Sequence, residues 1–134
     1  MRFGTEEVGF SIGYRGDDRL VYVRAWGAWD TATAMMFARA VVDESRPVVR
    51  PFNILFDVTL LRPPDADGQL AFRTIMVSMK LMGIGAAAVV IGENAIIKMQ
   101  LMRLAKQNWI ENWYYFTSEA PALQHLRPPG QLSA

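Results

Sequence analysis

Three carboxylates, Asp57, Asp65 and Asp67, lie close together in the sequence and are the best candidates for chemistry. Oxygen ligands of this kind bind hard cations, and paired carboxylates can exchange protons with a substrate. The alternative is structural, because Asp65 or Asp67 can cap a helix whose first backbone N–H groups need acceptors. We favour the cap, and we predict no metal site and no cofactor.

Other reactive residue types are too few for a familiar catalytic arrangement. The chain has no cysteine and one histidine, His125, which excludes thiolate catalysis and sites of several histidines. We place His125 at the end of an amphipathic helix and outside any Ser-His-Asp triad. Gly83-Ile84-Gly85 follows a helix and precedes a strand, whereas a dinucleotide-binding loop has the reverse order. We therefore predict no catalytic residues and a protein that is not an enzyme.

A helix predicted over Ala95 to Asn108 carries apolar residues on more than one face. A surface helix needs only one apolar stripe to reach the core. Met99 and Met102 in this helix, with Trp109 and Trp113 after it, therefore predict an interface or a site for a hydrophobic ligand. We expect the protein to self-associate as a dimer through this surface.

The sequence predicts strands that alternate with helices, and these elements must position the candidate residues. Val8 to Tyr14 and Leu20 to Trp26 are typical of a β-hairpin. Three further strands are predicted, and the helices are predicted after the cap Asp30, over Leu70 to Met82, over Ala95 to Asn108 and after Ser118. The fold class is α/β, a mixed, mostly parallel sheet of about five strands with an N-terminal hairpin and about four helices. Residues 1–134 form one domain, and residues 127–134 form a loose tail.

The charge of the chain is nearly balanced, with 14 basic and 13 acidic residues. This balance argues against broad electrostatic binding to nucleic acid or an anionic membrane, which needs clustered positive charge. Hydrophobic residues make up 51% of the chain, so we expect a partner, a ligand or a second copy to cover some apolar surface. The longest nearly uncharged stretch, Leu81 to Gly92, is too short to span a bilayer, and the first residues do not resemble a signal peptide. We predict a cytoplasmic protein.

The order of elements and the residues from Asp57 to Gly68 resemble the STAS domains of bacterial anti-sigma-factor antagonists and sulfate-transporter tails. More loosely, the chain resembles the STAS-like proteins grouped with lipid-binding CRAL-TRIO folds. In the antagonists, a buried strand ends in Asp and the next helix opens with an Asp-Ser-Ser/Thr-Gly motif. A partner kinase phosphorylates a serine or threonine of this motif, which releases the domain from its target.

On this resemblance, Asp65 stands at the Asp of the motif and Gly68 at its Gly, while Ala66 and Asp67 replace the hydroxyl residues. The resemblance implies a regulatory interaction module that is not an enzyme. Its partner would be an anti-sigma-like regulator or the protein itself. Asp57, Asp65, Ala66, Asp67 and Gly68 would form the binding site, with Asp67 a non-phosphorylatable residue at the phospho-acceptor position. The alternative function is a carrier or sensor of a small hydrophobic, lipid-like ligand.

Overall fold

A computed structural model describes residues 1–127, which form six strands and four helices. Except for Arg127, the predicted loose tail lies outside the described residues. No helix in the described range has the length and hydropathy that a membrane crossing requires. The strands are β1 (Arg2–Gly4), β2 (Gly9–Arg15), β3 (Leu20–Gly27), β4 (Asn53–Leu61), β5 (Ala87–Val90) and β6 (Trp113–Phe116). The helices are α1 (Thr31–Ser45), α2 (Ala66–Met82), α3 (Ala95–Gln107) and α4 (Glu119–His125).

The strands form one mixed sheet in chain order, from β1 at one edge to β6 at the other. The first three strands pair antiparallel, and β3 to β6 pair parallel. This arrangement confirms the predicted fold class. Strand β1 is additional to the five predicted strands, because three residues are too few to show a period of two. Its Phe3 ring stacks on Phe10 at a centroid distance of 5.2 Å.

The order of the strands decides where the helices lie. Right-handed crossovers between parallel strands in chain order all fall on the same side of a sheet. Helices α1, α2 and α3 therefore cover one face, where the main core includes Phe10, Phe37, Phe56 and Phe72. The short α4 packs on the opposite face, over a smaller cluster that contains Leu55. Much of that second face is left without a helix.

The first two helices begin at aspartate caps. Asp30 accepts a hydrogen bond of 2.7 Å from the backbone N–H of Thr33, which confirms the predicted start of α1. Helix α2 begins at Ala66, one turn before the predicted Leu70. Its first turn is largely small and polar, so the apolar periodicity that marked the helix starts one turn late.

Helix α4 ends the described part of the fold. Ser118 precedes it as predicted, but its side chain makes no capping hydrogen bond. His125 is exposed at the end of α4, with its ring 4.4 Å from that of Tyr114. This is the helix-end position predicted for His125.

Candidate functional site

Two residues of the candidate motif, Asp65 and Gly68, hold the start of α2. The Asp65 side chain is the N-cap, because its Oδ1 accepts a hydrogen bond of 3.1 Å from the backbone N–H of Gly68. Gly68 is buried, and a Cβ at this position would collide with the ring of Pro64. Both residues therefore have structural reasons for their identity, which leaves Ala66 and Asp67 as the exposed positions between them.

Asp67 bridges the two helices α1 and α2. Its Oδ2 accepts a hydrogen bond of 2.7 Å from the hydroxyl of Thr31, the first residue of α1. Because Asp65 supplies the cap, the Asp67 carboxylate is not used by the start of its own helix. It lies at the surface beside two helix N-termini, whose dipoles both favour a negative charge. The structure thus places an exposed anion where the family resemblance places the phospho-acceptor.

A groove that the sequence analysis missed begins at this bridge and runs between α1 and α2. It has a volume of about 620 Å³, and its walls are largely apolar. Met35 on α1 is 67% exposed and Leu70 on α2 is 53% exposed, and both line the groove. In the sequence, Leu70 falls outside the apolar stripe of its helix, whereas Met35 has the same helical spacing as the core residues Ala38 and Val42 of α1. Met35 and Leu70 form one surface only because α1 and α2 pack against each other.

Asp57 does not join Asp65 and Asp67. Its neighbours Phe56 and Val58 are buried under the helices, so the alternation of the strand directs Asp57 to the opposite face of the sheet. There its Oδ2 lies 3.6 Å from Nε of Arg24. The three carboxylates therefore do not form one group. Within residues 1–127, no cluster of three or more metal-ligating side chains is present.

The neighbours of Asp57 form a polar cluster that ties α4 to the sheet. The Tyr22 hydroxyl donates a hydrogen bond of 2.6 Å to Glu119, the first residue of α4, and accepts one of 3.3 Å from Arg24. Partial burial raises the pKa of Tyr22, and the hydrogen bond to Glu119 adds to this effect. The guanidinium groups of Arg15 and Arg24 lie over the Tyr22 ring. Of these contacts, the hydrogen bond from Tyr22 to Glu119 is the one that joins α4 to the sheet.

The four residues predicted as an apolar interface are not all at the surface. Met99, Met102 and Trp109 are 71%, 49% and 79% exposed. Trp113 is only 6% exposed, and its ring stacks on Phe56 at 5.1 Å, so it offers little surface to a partner. Trp113 lies in β6 of the parallel sheet, where every second side chain points toward the helices. This position explains why Trp113 is buried. An open cavity of about 410 Å³ is lined by Met102, Trp109 and Trp113.

Comparisons with known proteins bear on the fold alone. No family model and no curated protein matches the chain. Among solved structures, the chain is similar to one described as the NMR structure of the protein TM1081, with a TM-score of 0.57 and 14% sequence identity. The match covers 92% of this chain and 98% of that chain. The two chains therefore share a fold over nearly their whole lengths, and the STAS-like resemblance stays a prediction.

Proposed function

We propose that this protein is a non-enzymatic, STAS-like interaction module that binds a protein partner in the groove between α1 and α2. The Thr31–Asp67 bridge at the mouth of this groove carries the proposal. It holds a negative charge beside Met35 and Leu70, two exposed apolar side chains. A partner that fills the groove with an apolar anchor and presents a Lys or Arg to Asp67 fits this arrangement, because interfaces combine apolar centres with charged rims.

Asp67 also suggests how such a module is regulated. A phosphoserine carries a charge of about −1.5 to −2 and an aspartate carries only one negative charge, but both can face a cationic partner. The Asp67 carboxylate is already held by Thr31 and cannot gain or lose a phosphate in the usual way. Position 67 is therefore not switched by phosphorylation of a hydroxyl group, and we infer that regulation comes from the amount or the state of the partner.

Site-specific photo-crosslinking in the native cells tests this proposal. The crosslinking amino acid is placed at Leu70, and the matched control carries it at Tyr14 in β2, which is 48% exposed against 53% for Leu70. The proposal predicts a discrete protein adduct from Leu70 and none from Tyr14. No adduct at Leu70, or the same adduct from both positions, contradicts it.

The cavity beside α3 favours a second candidate function, the binding of a small hydrophobic ligand. Its volume of about 410 Å³ and its lining by Met102, Trp109 and Trp113 suit a small apolar molecule. Native mass spectrometry of the purified protein distinguishes the two functions. A retained small mass that disappears in Met102→Lys supports the carrier, and a mass equal to that of the chain alone contradicts it.

A further inference from the structure

Positive charge is concentrated on one surface of the fold, although basic and acidic residues are nearly equal in number over the whole chain. Five exposed basic residues lie on the outer sides of α2 and α3, and α3 contains no acidic residue. None of the five lies within ion-pair distance of a carboxylate of residues 1–127. We call this surface, together with Met99, Met102 and Trp109, the basic face. Its basic residues are Arg73, Lys80, Lys98, Arg103 and Lys106.

Apolar side chains stand among these cations. Met99 and Met102 project from α3 between Lys98, Arg103 and Lys106, and both are well exposed. Trp109 follows the end of α3 and is 79% exposed. Cations and exposed apolar side chains supply the two attractions that hold a protein at a lipid–water interface, which are electrostatic attraction to anionic lipids and burial of apolar area.

Trp109 adopts a backbone conformation that its side chain does not favour. Its φ is +54°, in the left-handed region where glycine and asparagine are preferred. The Trp109 carbonyl accepts a hydrogen bond of 2.9 Å from Nζ of Lys80, and the next residue back, Asn108, accepts one of 3.2 Å from Arg73. The loop is thus held by two cations of the basic face while the indole projects outward. Packing within the domain does not explain a tryptophan here.

The composition of the basic face selects among possible partners. A second copy bound face to face would set Lys98, Arg103 and Lys106 against the same three cations, so the charge pattern disfavours a second copy as the occupant of this face. A nucleic acid would neutralise the cations, and an unpaired base would stack on Trp109, but Met99 and Met102 would be left without apolar contacts. An anionic lipid surface satisfies both sets of residues, since it offers phosphates to the cations and a hydrocarbon boundary to the apolar side chains.

We propose that the basic face attaches this protein to the surface of an anionic lipid bilayer. Headgroup phosphates pair with the Lys and Arg side chains, while Trp109, Met99 and Met102 enter the boundary between headgroups and acyl chains. No residue of the basic face lines the groove between α1 and α2, so a protein partner in that groove uses a separate surface. The attachment is peripheral and reversible, because it relies on a few charges and a few side chains.

Co-sedimentation with vesicles tests the proposal on the full chain. Vesicles of equimolar phosphatidylglycerol and phosphatidylcholine are expected to bind the protein at low salt, and vesicles of phosphatidylcholine alone are not. Binding should be largely lost at about 1 M salt, where the Debye length falls to about 3 Å. The double variant Lys98→Gln, Lys106→Gln should partition about 25-fold more weakly, since each cation near an anionic surface contributes about fivefold.

The control variant Arg39→Gln, Arg46→Gln removes the same net charge from two exposed positions on α1 and directly after it, outside the basic face. It should bind anionic vesicles within about twofold of the wild type, because charges far from the surface are screened. Failure of the wild type to bind anionic vesicles at low salt overturns the proposal. So does an equal loss of binding in the two double variants.

Trp109→Asn separates lipid contact from stability, because asparagine tolerates the left-handed conformation. This variant should melt no lower than the wild type and should bind anionic vesicles several-fold more weakly. Unchanged vesicle binding by Trp109→Asn contradicts the insertion of the indole. Binding to poly-glutamate without binding to anionic vesicles assigns the basic face to an acidic protein segment and overturns the lipid proposal.

Discussion

The two aspartates at the start of α2 are expected to affect stability differently. Asp65→Ala removes the side chain that accepts the Gly68 N–H, and the loss of an N-cap lowers the free energy of unfolding by about 1 kcal/mol. Asp67→Ala removes an exposed hydrogen bond to Thr31 and one charge in the first turn, which together are worth about 0.5 kcal/mol. Asp65→Ser should recover most of the loss, because serine caps nearly as well as aspartate.

Urea unfolding followed by far-ultraviolet circular dichroism measures these differences. A change of 1 kcal/mol should also move the melting temperature by about 2–8 °C, given the size of the domain. The expected order of stability places the wild type first, then Asp65→Ser and Asp67→Ala close together, and Asp65→Ala last. If Asp67→Ala destabilises as strongly as Asp65→Ala, or if Asp65→Ser rescues nothing, the assignment of the cap is wrong.

Three further substitutions test the packing around this site and the core, all by urea unfolding. Gly68→Ala should lower the free energy of unfolding by about 1–3 kcal/mol, since its methyl group collides with Pro64, while Gly13→Ala, in open space, should change it little. Asn53→Ala should lower the free energy of unfolding by about 2 kcal/mol, because the Asn53 amide joins the start of β5 to the end of α4 through hydrogen bonds of 2.9 and 2.8 Å. An unchanged midpoint of urea unfolding contradicts this role. Tyr115→Phe should leave stability near neutral pH equal or higher, because the Tyr115 hydroxyl is buried without a hydrogen-bond partner in the described residues. Burial raises the pKa of Tyr115 from 10.0 to about 12, so the folded state holds this proton more tightly than the unfolded chain. The resulting stabilisation is complete below pH 10.0 and disappears as the pH rises to about 12. Tyr115→Phe should remove this loss of stability at alkaline pH. If the free energy of unfolding of Tyr115→Phe falls with pH in the same way as that of the wild type, the role given to the Tyr115 hydroxyl is wrong.

Local signals predicted most of the fold. The cap at Asp30 and the helix-ending Gly83, which has a φ of +75°, are set by backbone groups within a few residues. Strand β1 was not predicted because it is only three residues long. Its pairing with β2 depends on the hairpin that follows it, so no pattern in its own residues could predict it.

The candidate site was only partly predictable, because its parts meet through tertiary packing. Asp57 lies in a strand that is apolar on both faces, so alternation in the sequence could not show that it points away from Asp65. The bond between Thr31 and Asp67 joins residues 36 positions apart. The basic face likewise depends on the packing of α2 beside α3. The net charge of the chain does not show where its charged residues lie in the fold.

The crosslink at Leu70 tests the central claim most directly when it is measured in the Asp67→Lys background. If a partner occupies the groove and presents a cation to Asp67, reversal of this charge should abolish the Leu70 adduct while the domain stays folded. The same crosslink in the Asp65→Ser background should persist at the wild-type yield, because that change replaces only the cap. An adduct at Leu70 that survives Asp67→Lys undiminished would contradict the proposed site.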